Sequence, residues 1–153
     1  MPTAMPKARK RRRKFADAPA GLRSLGISAR STDGLIRLVE KGFPFRWLAR
    51  FQKRSALPWE KLADWVSIPM RTLSRRQREG RLARDESDRV LRAAKIFDLT
   101  VELFEGDSDG AREWLLLPQY GLGGQRPVNF ARTEVGAREV ENLIGRLEWG
   151  DMA

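Results

Sequence analysis

The sequence predicts an all-α protein in which a domain built around a helix-turn-helix is followed by a small helical C-terminal domain. Two observations predict this class. After residue 30, apolar residues recur at spacings of three and four, which is the period of an amphipathic helix. The segments with that period are separated by Gly, Pro, Ser, Thr or Asp at the positions where helices end and begin.

Residues 1–30 are predicted to form a mostly disordered basic arm. They mix Pro, Ala, Gly and cationic residues without an apolar period, and residues 1–14 carry seven Lys or Arg and no acid. Such an arm would add salt-sensitive affinity for DNA that does not depend on base sequence. A tail that only keeps the chain soluble is an equally good interpretation.

Two short helices are predicted next. Ser31 or Thr32 is a suitable N-cap for the first helix, and Gly42 ends it. Pro44 opens the second, since a proline is tolerated where a helix begins. We expect both helices to cover the helix-turn-helix or to form a subunit contact. Their apolar stripes are formed by Leu35, Leu38 and Val39 in the first, and by Phe45, Leu48, Ala49 and Phe51 in the second.

Residues 57–80 are predicted to form the helix-turn-helix. The first helix starts at Pro58, and its apolar residues recur at spacings of three and four. The tripeptide 67–69 interrupts it, because the residue before Pro69 disfavours the helical region. A second helix then runs to Glu79, with Gly80 as its left-handed stop.

The second helix of this motif carries the candidate DNA-binding residues. At 100° per residue, Leu73 marks the inward direction, with Pro69, Met70, Arg76 and Gln77 within about 60° of it. The opposite face and its flanks are cationic and hydroxylic, which suits bases and phosphates in a major groove. A solvated basic face on an ordinary helical hairpin is the alternative. The predicted DNA-binding residues are Arg71, Thr72, Ser74, Arg75 and Arg78.

Three further helical segments are predicted in the second half of the chain. A long helix starts in the acidic stretch 85–88 and ends at Gly106, with a seam of Val90, Ala94, Phe97, Val101 and Phe104. Asp107 or Ser108 caps the next helix. Residues 116–127 hold prolines at both ends and three glycines, so they are predicted to form a shaped loop rather than a helix or strand. Thr133 caps a final helix that ends at Gly150.

Composition excludes several classes of function. The chain has no Cys and no His, so thiol nucleophiles, imidazole bases and the commonest transition-metal sites are ruled out. We therefore predict that the protein is not an enzyme and uses no metal or cofactor. No apolar run is long enough to span a bilayer, and we expect a cytoplasmic protein.

Charge is distributed unevenly over the chain. The net charge is +10, yet residues 105–153 hold five Arg against nine Asp or Glu. This asymmetry indicates two partners, a polyanion for the N-terminal side and another kind of molecule for the C-terminal side.

A family resemblance is carried by segments 33–42, 68–73 and 81–89, and above all by the pair 122–127 and 133–148. Over about residues 31–150 the chain resembles the Xre/MbcA/ParS-type antitoxins that accompany RES-domain toxins in bacteria. The C-terminal pair of motifs is the specific part, because a helix-turn-helix alone would fit many repressors. The first thirty residues fall outside the resemblance.

The resemblance implies a two-part antitoxin. A helical domain over 31–105 would bind operator DNA, autoregulate the operon and dimerise. A domain over 106–153 would dock on the toxin and obstruct its active site. RES toxins are similar in fold to ADP-ribosyl-transferring enzymes and consume NAD, so blocking the nicotinamide nucleotide pocket would neutralise them. The implied assembly is a homodimer within a larger toxin–antitoxin complex.

The predicted toxin contacts lie in the C-terminal loop and at the chain end. The family's loop often reads Asn-Pro-Ala-Leu-Gly-Gly, whereas here Gln119, Tyr120 and Gly121 replace its first three residues. Trp149 stands where a smaller or polar residue is commoner. Tyr and Trp are favoured in protein interfaces, although packing of both rings against the last helix is an equal alternative. The candidate toxin-binding residues are Pro118, Tyr120, Leu122, Gly123, Gly124, Arg126 and Trp149.

Two other interpretations remain open at this point. A stand-alone transcription regulator with a self-association domain would have no toxin, and the absence of a toxin reading frame beside its gene would identify it. An antitoxin that has lost DNA binding is the other. That interpretation draws on Arg76, whose inward position calls for a carboxylate partner.

Overall fold

The computed structural model describes residues 22–27 and 31–150, and these two ranges hold nine α-helices, a short 3-10 helix and no strand. The all-α prediction is confirmed. The helices are α1 (Leu22–Leu25), α2 (Thr32–Lys41), α3 (Phe45–Ser55), α4 (Trp59–Val66), α5 (Met70–Glu79), α6 (Arg84–Leu103), α7 (Ser108–Leu116), the 3-10 helix Tyr120–Leu122, α8 (Pro127–Phe130) and α9 (Glu134–Glu148). None of these helices combines the length and the apolar character that crossing a lipid bilayer requires.

Helix α6 is the central element. It spans 20 residues and packs against α1, α2, α3, α4, α7 and α9. The predicted seam is confirmed at Val90, Ala94 and Phe97, which are buried, and at Val101 and Phe104, which are partly buried. Buried residues of all the longer helices except α2 belong to one hydrophobic cluster. The core is therefore continuous from the helix-turn-helix to the C-terminal helices.

Helix α1 was not expected from the sequence. Leu22 and Leu25 are buried against α3 and α6, and the backbone N–H of Ser24 donates to the carboxylate of Asp98 at 3.2 Å. The prediction of a disordered arm up to residue 30 is therefore wrong for residues 22–27. Two leucines are too few to show a helical period. The basic run 7–14 lies outside the described residues.

Two arginines of α3 attach α1 to the body of the protein. The guanidinium of Arg50 donates to the carbonyl of Gly26 at 3.3 Å, and that of Arg54 donates to the carbonyl of Arg23. Carbonyls at the end of a helix lack helical partners, and a cation is favoured beside them. These exposed arginines, which the sequence alone gave no reason to single out, therefore hold the N-terminal helix in place.

Burial under α1 changes the acidity of Asp98. Removal from water raises the pKa of this carboxyl above its ordinary value, because burial disfavours the charged form. Hydrogen bonds from Ser24 and the nearby charges of Arg23 and Arg54 act in the opposite direction and offset part of the rise. The pKa of Asp98 remains raised on balance, so this carboxyl keeps its proton to a higher pH than an exposed aspartate does.

Helix α2 is capped as predicted but is less buried than expected. The hydroxyl of Ser31 accepts the N–H of Gly34 at 3.1 Å. None of the residues of α2 is buried, and the side chain of Ile36 is 48% exposed. The predicted stripe Leu35, Leu38 and Val39 is only partly buried. By contrast, the predicted inward residues Phe45, Leu48 and Phe51 of α3 are buried.

The C-terminal segment contains more helix than its composition predicts. The prediction of a purely irregular loop over 116–127 is wrong in part, because the 3-10 turn and the start of α8 lie inside it. Pro127 occupies the first turn of α8, where a proline is tolerated. The final helix begins as predicted, with the hydroxyl of Thr133 accepting the N–H of Gly136 at 3.0 Å.

Candidate interaction surfaces

The helix-turn-helix is formed by α4, a three-residue turn and α5. Ser67 adopts a left-handed conformation (φ 54°, ψ 43°) that ends α4. The N–H of Ile68 donates to the carbonyl of Ala63 at 3.0 Å, and its side chain is 1% exposed. Pro69 then caps α5. The predicted bounds of both helices and of their turn are therefore confirmed.

Arg89 of α6 donates hydrogen bonds to the turn between α4 and α5. Its Nε donates to the carbonyl of Val66 at 2.8 Å, and its Nη2 lies 3.5 Å from the carbonyl of Ser67. These carbonyls lie at the C-terminal end of α4, where a cation also interacts favourably with the helix dipole. This contact could not be predicted, because nothing local in the sequence places Arg89 beside a turn 22 residues earlier.

An ion pair between the partly buried Arg76 and the buried Glu86 fixes α5 to the start of α6. Arg76 donates from Nε to Glu86 Oε1 at 2.7 Å and from Nη2 to Glu86 Oε2 at 3.3 Å. Glu86 also accepts the N–H of Ala83 at 2.7 Å, and its side chain is 8% exposed. Hydrogen bonds to Glu86 and then to Glu79 raise the pKa of Arg76, so its guanidinium stays charged. The predicted carboxylate partner is therefore present.

The inward face of α5 is narrower than predicted. Leu73 is 4% exposed and packs in the core, and Arg76 is partly buried. The expectation that Pro69, Met70 and Gln77 also point inward is wrong, since all three are exposed and Met70 is 42% exposed. Helix α5 therefore contacts the core along a single line of residues and leaves most of its circumference in water.

The predicted DNA-binding residues lie together on the outer side of α5, and we call this set the arginine face. Arg71, Ser74, Arg75 and Arg78 are exposed, and Thr72 is partly buried. Arg75 Nε lies 3.8 Å from the carboxylate of Glu79. Arg71 and Arg78 form no ion pair with any residue that the structure describes. Their guanidinium groups therefore remain available for an anion.

The second surface is formed by residues 118–126, which we call the glycine turn. Gln119 organises it through both its backbone and its side chain. Its backbone N–H donates to the carbonyl of Gln125 at 3.0 Å, and its carbonyl accepts from Gly124 at 2.9 Å. Its side-chain amide donates to the carbonyls of Trp114 at 2.9 Å and Leu117 at 3.1 Å. Gly123 and Gly124 both have positive φ, which closes the turn.

The glycine turn presents an aromatic ring to solvent. Tyr120 is 90% exposed, and Trp149, beyond the end of α9, is 65% exposed. Neither ring lies in the core. Packing against the last helix is wrong for Tyr120, whereas for Trp149 it stays an alternative because that ring is partly covered. The candidate residue Leu122 is 5% exposed, so its side chain anchors the turn from inside rather than facing a partner. The remaining candidates are all exposed and are Pro118, Gly123, Gly124 and Arg126.

A direct ion pair links the C-terminal helices to the helix-turn-helix. Arg132, between α8 and α9, donates to the carboxylate of Asp64 on α4 at 2.7 Å. The same guanidinium donates to the side chain of Asn129 at 3.2 Å. Both partners of the ion pair are about half exposed, so it adds little stability. It shows that the C-terminal helices contact the helix-turn-helix at the protein surface as well as in the shared core.

Comparison with known proteins finds two family matches along the chain. Residues 34–95 match the antitoxin Xre-like helix-turn-helix domain, and residues 100–150 match the antitoxin Xre/MbcA/ParS C-terminal toxin-binding domain. The chain is 35% identical to the proteins named Antitoxin Xre of Yersinia enterocolitica and Photorhabdus laumondii, over 84% of this chain and 87% of each relative. It is 34% identical to Antitoxin Xre of Pseudomonas putida over 73% of this chain and 69% of that protein.

Proposed function

Because the chain belongs to the Xre family of antitoxins, we propose that it neutralises a RES-domain toxin by blocking the toxin's NAD-consuming active site. The family consists of antitoxins with a helix-turn-helix, not of enzymes, so a toxin and DNA are its two general partners. The observation that carries the RES assignment to this chain is the glycine turn, whose Tyr120 stands 90% exposed within the toxin-binding domain.

The construction of the glycine turn supports insertion into a cleft. The hydrogen bonds of Gln119 hold the backbone in one shape before any partner arrives. A side chain on such a turn loses little conformational freedom when it binds, which favours affinity. A flat, projecting ring also fits a site that binds the nicotinamide or adenine ring of NAD. We therefore assign Tyr120 the central position in the contact, flanked by Pro118 and Arg126.

The arginine face supports the second half of the proposal, which is binding of operator DNA and autoregulation of the operon in the cytoplasm. Helix α5 is fixed by the pair Arg76–Glu86 and exposes its other cations on the outer side. A rigid helix with exposed arginines is suited to a major groove, in which arginine pairs with guanine or contacts phosphates. Helix-turn-helix proteins commonly bind two half-sites as dimers.

Helix α2 supports the homodimer within a larger toxin–antitoxin assembly. Its apolar side chains are left partly in water, and Ile36 is 48% exposed. A second copy of the chain would cover them. We propose that the dimer uses this helix, which leaves both the arginine face and the glycine turn free for their partners. The division into a DNA-binding unit over 31–105 and a toxin-binding unit over 106–153 stays a prediction.

The experiment that tests the proposal uses the full chain and the toxin encoded by the neighbouring reading frame. The purified toxin is incubated with NAD, and NAD loss is measured with increasing amounts of the chain. We expect NAD loss to stop near a fixed molar ratio of chain to toxin. A toxin that leaves NAD intact would overturn the RES assignment, and a toxin that remains active in a stable complex with the chain would overturn the active-site block.

A further inference from the structure

Gly145 lies in the last turn of α9, which spans Glu134–Glu148. A glycine within a helix is less favourable than an alanine because its backbone loses more freedom on folding. A Cβ added at Gly145 would meet no atom within 4 Å outside the helix's own nearby backbone. Packing within the described residues therefore gives no reason for a glycine at this position.

The other glycine of the same helix provides a direct contrast. A Cβ added at Gly136 would lie 1.7 Å from the carbonyl oxygen of Phe130, so α8 and α9 approach too closely there for any side chain. Gly136 is a requirement of the fold. Gly145 has no such close neighbour. The reason for a glycine at this position is therefore expected in a molecule that binds this chain.

Gly145, which is partly buried, belongs to a stripe on the outer side of α9 whose other three residues are exposed. Arg138, Asn142 and Trp149 precede and follow it at spacings of four, three and four, which places them on one face of the helix. The side chain of Arg138 is 74% exposed and Trp149 is 65% exposed. The core side of the same helix is formed by Gly136, Ala137, Val140, Leu143, Ile144 and Leu147. We call the four outer residues the α9 stripe.

We propose that the α9 stripe is a second contact surface for the toxin, in which the toxin approaches the backbone of α9 closely at Gly145 while Trp149 packs beside it. This inference rests on the proposed function. The stripe lies within residues 100–150, the part that matches the toxin-binding domain, and it holds one of the two large exposed rings of that part. The 3-10 helix of the glycine turn packs against α9, so the stripe and Tyr120 lie on two elements that contact each other.

The test adds bulk at Gly145 in the full-length chain. Gly145→Ala and Gly145→Leu both place a better helix former at a position with open space. We expect each to raise the melting temperature by about 2 to 4 °C, while affinity for the catalytically inactivated toxin falls by about tenfold with leucine and less with alanine. The melting temperature is measured by thermal unfolding and the toxin affinity by titration calorimetry, on the same preparation of each variant. A purely structural glycine would not give opposite effects on stability and affinity.

Glu139→Leu is the matched control, because it places the same side chain on the same helix about 120° around from Gly145. We expect it to leave toxin affinity unchanged. Unchanged affinity in Gly145→Leu, or equal losses in both leucine variants, would overturn the proposed contact. So would a change in the oligomeric state of the free chain without a change in toxin affinity, since a second copy would then cover the stripe. If the wild-type chain binds no toxin, the proposed function itself fails.

Discussion

The arginine face and the glycine turn are built by opposite means. The arginine face consists of three arginines and two hydroxyl side chains on a regular helix, and a partly buried ion pair and one leucine fix that helix to the body. The glycine turn has an irregular backbone, held by hydrogen bonds around Gln119, and presents a single ring. The first therefore offers several long side chains on a fixed helix, whereas the second offers one side chain on a backbone fixed by hydrogen bonds.

This difference matches the partners that we propose for the two surfaces. A phosphate backbone is a repeated charge that can be met at many positions, so flexible cations on a well-placed helix suffice. A protein cleft has one shape, and binding it favours a surface arranged in advance. The comparison predicts that variants of the arginine face change affinity in a salt-dependent way, and that variants of the glycine turn change it in a nearly salt-independent way.

The largest effect is expected when the three cations of the arginine face are removed. The triple variant Arg71→Ala, Arg75→Ala and Arg78→Ala should lose about 3 to 5 kcal/mol of operator affinity, because each contact contributes about 1 kcal/mol or more. Its salt dependence should become shallower by about one to three units of slope. Fluorescence anisotropy with the DNA upstream of the gene measures both.

The charge-matched control for this variant removes Arg126, Arg138 and Arg146, which lie in the C-terminal half. It should retain most of its operator affinity. If the two triple variants bind the operator equally well, the arginine face is not the DNA contact.

A smaller effect is expected when the ion pair between Arg76 and Glu86 is broken. Glu86→Ala should lower the free energy of unfolding by about 2 to 3 kcal/mol, because Arg76 would keep only its more exposed partner Glu79 and the N–H of Ala83 would lose its acceptor. Urea unfolding measures this loss. The double variant Arg76→Met with Glu86→Leu should recover most of the stability, since no charge is left in the interface. A Glu86→Ala protein as stable as the wild type would show that the pair does not hold α5.

At the glycine turn, Tyr120→Ala should weaken toxin binding by about 2 kcal/mol, as expected for an interface ring that carries much of the contact. Its effect on folding should stay within about 0.5 kcal/mol, because the ring is 90% exposed. The control is Met70→Ala, which removes an exposed apolar side chain from α5. Calorimetry at two salt concentrations also tests the expected independence from salt, and an equal loss in both variants would contradict the assignment.

The smallest effect concerns Asp98, which lies on α6 where α1 packs against it. Its pKa is raised in the folded protein, so its contribution to stability is present at low pH and is lost as the pH rises through the raised pKa. Asp98→Asn should therefore raise the melting temperature slightly at pH 7, and the difference should vanish near pH 3, at which both side chains are neutral. A variant less stable than wild type at pH 7 would contradict this sign.

Elements with local signals could be predicted from the sequence. The bounds of α4 and α5 follow from Pro58, Pro69 and Gly80, each of which acts on its own backbone. The capping hydroxyls Ser31 and Thr133 were also identified correctly for the same reason. In each case the physical cause lies within a few residues of the effect.

Features that depend on distant contacts could not be predicted. Helix α1 is stabilised by Asp98, 74 residues away, and the link from Arg132 to Asp64 spans 68 residues. At the candidate sites, the sequence identified residue types that suit each partner, but not Gln119, whose role depends on the folded turn. Leu122 was assigned to the wrong side of that turn, because spacing cannot orient a side chain in an irregular segment.

The continuous core that runs along α6 also sets how long either surface survives in a cell. Because α4 and α9 pack on the same helix, the two surfaces are expected to unfold together rather than one at a time. A protease that captures the opened chain would then remove the operator-binding and the inhibitory activities at the same rate. The operator-binding activity and the toxin-inhibiting activity of the chain would therefore have the same half-life.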